Sequence, residues 1–132
     1  MLVLLVNSAG CESQRNGTFG QLISDPVWYS GKSVTVEGFY FDSFEFMGLC
    51  EGLTIDNGRF IPDGEVIWIN GGLPQAIYKR LSSQEAFSGG FIQHYGKIRV
   101  TGKFEYGVGY GHLGSFKYQI TPEKAEFLTP PK

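Results

Sequence analysis

The chain has 132 residues, the length of one domain and enough for a hydrophobic core. Eleven basic against thirteen acidic residues leave a net charge of −2, so the whole-molecule field attracts neither phosphate backbones nor anionic membrane surfaces. Nineteen glycines and an aromatic share of 15% argue against a helical bundle and for short strands, tight turns and barrel corners.

The chain opens MLVLLVNSAGCESQRNG, an apolar run from Leu2 to Val6 followed by Ser8, Ala9, Gly10 and Cys11. This resembles the end of a bacterial lipoprotein signal, in which a peptidase cuts before the cysteine and the thiol receives a diacylglycerol. The resemblance implies that Cys11 is the first mature residue and the lipid anchor. Ser8 stands where that class prefers Leu, and no Lys or Arg precedes the apolar run, as a start placed too far downstream would explain. The alternative for Leu2 to Val6 is a buried strand of ordinary length. Residues 1–17 are thus a signal-like segment with a polar tether, and residues 18–132 the folded domain. Cys50 is the second cysteine. A Cys11–Cys50 disulfide and a lipidated Cys11 exclude each other, and with Cys11 lipidated Cys50 becomes a small buried hydrophobe.

Phe19, Leu22 and Ile23 are spaced for a single helical turn across one end of the domain, stopped by Ser24, Asp25 and Pro26. From Lys32 the pattern alternates: Val34 and Val36 against Ser33, Thr35 and Glu37. Gly38 interrupts it before Phe39, Tyr40 and Phe41, which predicts a bulge or sharp coil with glycine-only backbone geometry. Asp42 and Ser43 make a turn, a second strand runs from Phe44 to Cys50, and Asp56-Asn57-Gly58 and Pro62-Asp63-Gly64 predict two further turns. Val66 to Asn70 is a continuous apolar strand. Pro74 suits a helix start, and Ile77 and Leu81 share one face of an amphipathic segment that ends at Ser88-Gly89-Gly90. Ile98, Val100, Gly102 and Phe104 then form the inner face of a fourth strand. A loop with Gly107, Gly109, Gly111 and Gly114 leads to a fifth strand with Phe116, Tyr118 and Ile120 inside, and Thr129 to Pro131 form an extended tail.

Strands of this length and order, with one short helix between the third and fourth, predict an all-β fold: a five-stranded OB-type Greek-key barrel. The segments GKSVTVEGFYF (Gly31 to Phe41) and KIRVTGKFEYGVGYGHLGSFKYQI (Lys97 to Ile120) resemble the first strand and last hairpin of small bacterial OB-fold proteins. Many of those are predicted lipoproteins without assigned activity, so the resemblance implies a fold and a compartment but no reaction.

Catalysis finds no support in the residues. His94 and His112, the two histidines, stand in no metal-binding spacing, and neither a metal nor a cofactor is implied. G-x-S-x-G is absent, and Ser115 near His112 does not make a triad. Asp42 and Glu45 could pair for acid–base work, but a solvated turn accounts for them. The glycine-rich loop opens into a strand, without the helix that a phosphate loop needs.

Binding is the expectation. An OB groove lies on strands two and three between the loops joining strands one to two and four to five, which selects Phe44, Trp68, Tyr106, Tyr110 and His112 as candidate ligand or partner contacts. The rings in the last loop could equally fold back on the barrel rim. The sequence therefore predicts an exported, lipid-anchored binding or interaction module of the cell envelope, attached to the membrane through its lipid alone, for an unknown envelope ligand or protein. The alternative is a cytosolic single-stranded nucleic-acid binder, for which Arg99, Lys103 and Lys117 on the last hairpin, with Glu105 among them, make a sparse basic lining. A purely structural envelope role is the third.

Overall fold

In the computed structural model, residues 14–44, 46–85 and 92–128 are described. The run Leu2 to Val6, Cys11, Glu45, the Ser88-Gly89-Gly90 stop and the tail from Thr129 lie outside the described residues.

The strands are β1 (Gln14–Asn16), β2 (Ser33–Ser43), β3 (Phe46–Asp56), β4 (Arg59–Ile69), β5 (Ser82–Glu85), β6 (Ile92–Tyr110) and β7 (Phe116–Phe127), joined by short helices α1 (Phe19–Ser24), α2 (Pro26–Tyr29) and α3 (Gln75–Tyr78). Their order is β1-β2-β3-β4-β7-β6-β5, and an added β2–β6 ladder closes β2, β3, β4, β7 and β6 into a five-stranded barrel. Four of its seams are antiparallel, and the β4–β7 seam is parallel. This is the OB-type barrel that the strand pattern predicts.

Alternation fills the interior. Val34, Val36 and Tyr40 of β2, Leu49 of β3, Ile67 and Ile69 of β4, Ile98, Val100 and Phe104 of β6, and Tyr118 and Ile120 of β7 form one buried cluster. Cys50, fully buried and free, has its thiol pushed up to about 12 by that burial, so it packs as a small hydrophobe. Phe19 and Leu22 of α1 join the cluster. The helix starts there because Thr18 and Gln21 cap it reciprocally: the Gln21 backbone N–H donates to Thr18 Oγ1 at 3.1 Å, and the Thr18 N–H donates to Gln21 Oε1 at 2.9 Å.

Several local expectations change. Residues Gln14–Asn16, expected as tether, form a short strand parallel to the start of β2. Asn57 and Gly58 both take positive φ (52° and 77°), which makes a tight hairpin and lets β3 and β4 run well past the expected strand ends. Pro62-Asp63-Gly64 is therefore no turn. It lies inside β4, where the register shifts opposite Cys50 to Gly52, and the ladder absorbs an extra residue as a bulge. The amphipathic segment after Pro74 is helical for one turn only; Ser82–Glu85 pairs antiparallel with the start of β6, while Ile77 and Leu81 still pack on the core. Buried Gln93 ties that start of β6 to β4: its Oε1 accepts from the Phe60 N–H and its Nε2 donates to the Phe60 carbonyl, both at 3.0 Å.

Gly38 is needed for a different reason from the expected one. β2 does pair with β6 along Ser33–Asp42 and with β3 along Phe39–Ser43, but Gly38 sits opposite Ile98 in unbroken register and without positive φ. A Cβ there would lie 2.9 Å from Leu49 Cγ and 3.0 Å from the Cys50 carbonyl oxygen. Gly38→Val is thus expected to lose about 1–3 kcal/mol through overpacking. Urea unfolding measures this, and an unchanged midpoint would mean that β2 and β3 do not approach so closely there.

Candidate functional site

Outside the barrel wall, a second aromatic cluster forms beside the main core. Phe41 and Phe46 meet with ring centroids 5.6 Å apart, Phe46 and Phe116 at 5.7 Å, and Trp68 and Phe116 at 5.1 Å. Side chains alternate along each strand, so Trp68 points outward from between inward Ile67 and Ile69. The loop after β6 crosses close to it. Gly111 takes φ +71°, and a Cβ there would come within 2.6 Å of Phe116 Cδ1 and 2.7 Å of Trp68 Cδ2, so only glycine lets the backbone pass over these rings.

Phe46 and Trp68 of this cluster line an open groove of about 580 Å³, within the range of small-ligand sites. Phe46 and Met47 at the start of β3 line it with Trp68 and Asn70 from the end of β4. Asp42 and Ser43 of β2, Tyr78 of α3, Gly111 and His112 of the last loop, and Gln119 of β7 complete it.

The polar side is built on Asp42. Its Oδ2 accepts from the Tyr40 hydroxyl at 2.7 Å, and its Oδ1 lies 2.9 Å from His94 Nδ1. A carboxylate only accepts, so with Asp42 ionised that nitrogen carries the proton. The Tyr78 hydroxyl is 2.9 Å from the same nitrogen. Burial first, and then Asp42, push the Tyr40 phenol far above its ordinary range; the same causes push Tyr78 up to about 12. Both tyrosines therefore keep their protons and remain donors. Asp42 is no solvated turn residue: its side chain is 14% exposed, inside β2 and paired in register with His94 of β6.

Two amides complete the lining. Gln119 Nε2 donates to Glu105 Oε1 at 3.0 Å, and Asn70 Nδ2 donates to Thr121 Oγ1 at 3.1 Å. A carboxylate cannot donate, so the Gln119 orientation is fixed by chemistry.

Of the candidates named from sequence, Trp68 and His112 line the groove. Phe44, Tyr106 and Tyr110 do not. Phe44 is 59% exposed in the β2–β3 turn. Tyr106 stacks on Tyr118 of the barrel at 5.5 Å, and the Tyr110 ring lies against Gly107, both of them in β6 rather than in the expected loop. The sequence reading passed over Tyr78, His94 and Gln119, which barrel closure brings close to Asp42 and Trp68. Of the basic candidates, Arg99 is held by Glu37 Oε2 at 2.7 Å and Glu126 Oε1 at 3.1 Å, and Lys117 lies over the Tyr118 ring at 5.6 Å. Neither they nor Lys103 line the groove. Among the described residues, no group of three His, Cys, Asp or Glu side chains is placed to hold a metal ion.

An OB-type barrel with an aromatic and polar groove is what fold and site together define. Compared with protein-family models, curated proteins and solved structures, the chain matches none.

Proposed function

We propose that this protein is a binding module of the bacterial cell envelope, anchored by lipid on Cys11, that holds its ligand in the groove beside Trp68. The observation that carries the binding half is the convergence of Asp42, Trp68, Tyr78, His112 and Gln119, from five separate elements, on one open groove floored by aromatic rings. Such a mix of apolar area and a few fixed polar groups suits recognition. The envelope half rests on the sequence from Leu2 to Cys11 and its likeness to a lipoprotein signal. We read the role as binding: the hydrogen-bonded Asp42–His94 pair faces two tyrosines that keep their protons, an arrangement suited to holding a ligand in place.

Expressed in bacteria behind a complete export signal, the protein is expected to partition into the detergent phase. Cys11→Ser is expected to move it to the aqueous phase or leave it unprocessed. Stable anchoring needs the several chains of a lipoprotein, since one acyl chain holds only marginally. A wild type that stays soluble in the cytosol would overturn the envelope reading. No salt-dependent retention on single-stranded DNA is expected, because phosphate neutralisation needs Lys and Arg in the groove. Tight, salt-sensitive retention would put the nucleic-acid reading in its place.

A further inference from the structure

We propose that the groove takes a neutral saccharide. This deepens the binding-module reading and rests on it. The first argument is the mix of hydrogen-bonding groups. Gln119 has one amide hydrogen committed to Glu105 and Asn70 one to Thr121, which leaves each amide a second hydrogen and a carbonyl oxygen. Asp42 adds carboxylate lone pairs beyond those used by Tyr40 and His94. Tyr78 keeps its proton, so the wall both donates and accepts, and its ligand must do the same. Hydroxyl groups donate and accept alike.

The second argument is charge. Among the described residues no Lys or Arg lines the groove, which disfavours phosphate and carboxylate ligands. A cationic ligand is disfavoured as well. Asp42 is the one carboxylate of the lining among the described residues, and it is already bonded to a phenol and an imidazole N–H. The third argument is shape. The rings of Phe46 and Trp68 offer aromatic surface beside those polar groups, which matches a molecule with an apolar C–H face and a hydroxylated rim. An extended peptide would gain most by adding to a sheet edge, but the strands that form the groove, β2, β3, β4 and β7, have ladder partners on both sides in the closed barrel.

The test uses the full folded domain and its own fluorescence. The chain has two tryptophans, Trp28 and Trp68, so Trp28→Phe leaves Trp68 as sole reporter. Neutral di- to hexasaccharides of differing linkage, with spermidine, a lysine-rich peptide and oligo-dT as other classes, are titrated into this variant and screened by thermal shift against wild type. The expected result is a saccharide that changes Trp68 emission and raises the melting temperature. Trp68→Ala and Gln119→Leu are each expected to weaken that saccharide at least tenfold by calorimetry. Gln119→Leu keeps the side chain's bulk, so it tests the amide even where Trp68→Ala disturbs the fold. Saccharide binding that survives Gln119→Leu unchanged would overturn the proposal. Binding confined to spermidine, peptide or oligo-dT, and lost in the two variants, would overturn the saccharide but keep the groove as a binding site. No response to any class would overturn both.

Discussion

Gly102→Ala is expected to lower stability by at least about 3 kcal/mol, and Gly102→Val by more, at the upper end of what overpacking does. β6 and β7 shift register here: Thr101 pairs with Lys124 and Gly102 with Pro122, so Glu123 is an extra residue in β7 and the backbone folds in toward Gly102. A Cβ on Gly102 would collide with the Thr121 carbonyl oxygen and lie 2.8 Å from its carbon and 2.9 Å from Pro122 Cα. All three are backbone atoms of a paired strand, which cannot swing aside as a side chain can. For a domain whose total stability is on the order of 5–15 kcal/mol, the alanine variant should melt roughly ten degrees lower, and the valine variant should express poorly. Thermal unfolding followed by circular dichroism measures the shift. An alanine variant melting within a degree of wild type would show that the two strands are farther apart at this bulge.

Phe104→Ala is the second large effect, with an expected loss of about 3–5 kcal/mol. The side chain is fully buried in the barrel and stacks on Tyr118 with centroids 6.3 Å apart. Its backbone also fastens the N-terminal helices to the barrel: Gly31 N–H donates to the Phe104 carbonyl at 2.7 Å, and Phe104 N–H donates to the Lys32 carbonyl at 3.0 Å. Deleting the ring leaves a cavity bordered by strands that cannot collapse inward without breaking ladders. Phe104→Leu should recover much of the loss, and equal destabilisation by both substitutions would point to a backbone role instead. Urea denaturation of the pair separates these outcomes.

The barrel was legible because its strands alternate. Val34 and Val36, and then Ile98, Val100 and Phe104, read as inward faces and are buried as such. Signals failed where two physical causes write the same residues. Pro62-Asp63-Gly64 has turn chemistry, yet a bulge inside a long hairpin uses the same residue types. Ile77 and Leu81 are four apart for a helix, but the chain leaves α3 between them: Ile77 packs on the core from the helix and Leu81 from the segment just before β5. The groove was half visible. Trp68 and His112 follow from where OB barrels bind, whereas Asp42 looked like a turn because its partner His94 is distant in the chain and is brought opposite it by the β2–β6 ladder. No local pattern encodes a register between residues so far apart in the chain.

The parallel seam between β4 and β7 has two paired positions, Trp68 with Gln119 and Ile69 with Ile120, whereas β6 and β7 share a ladder from Ile98 to Tyr110. The barrel is a hoop with a short clasp, and the amides of that clasp should exchange with solvent sooner than those of the longer ladders. Both outward residues of the clasp, Trp68 and Gln119, belong to the groove. A molecule gripped by the two would rivet the hoop where it parts most readily, so occupancy would be felt throughout the barrel as slower breathing, rising with the logarithm of ligand concentration.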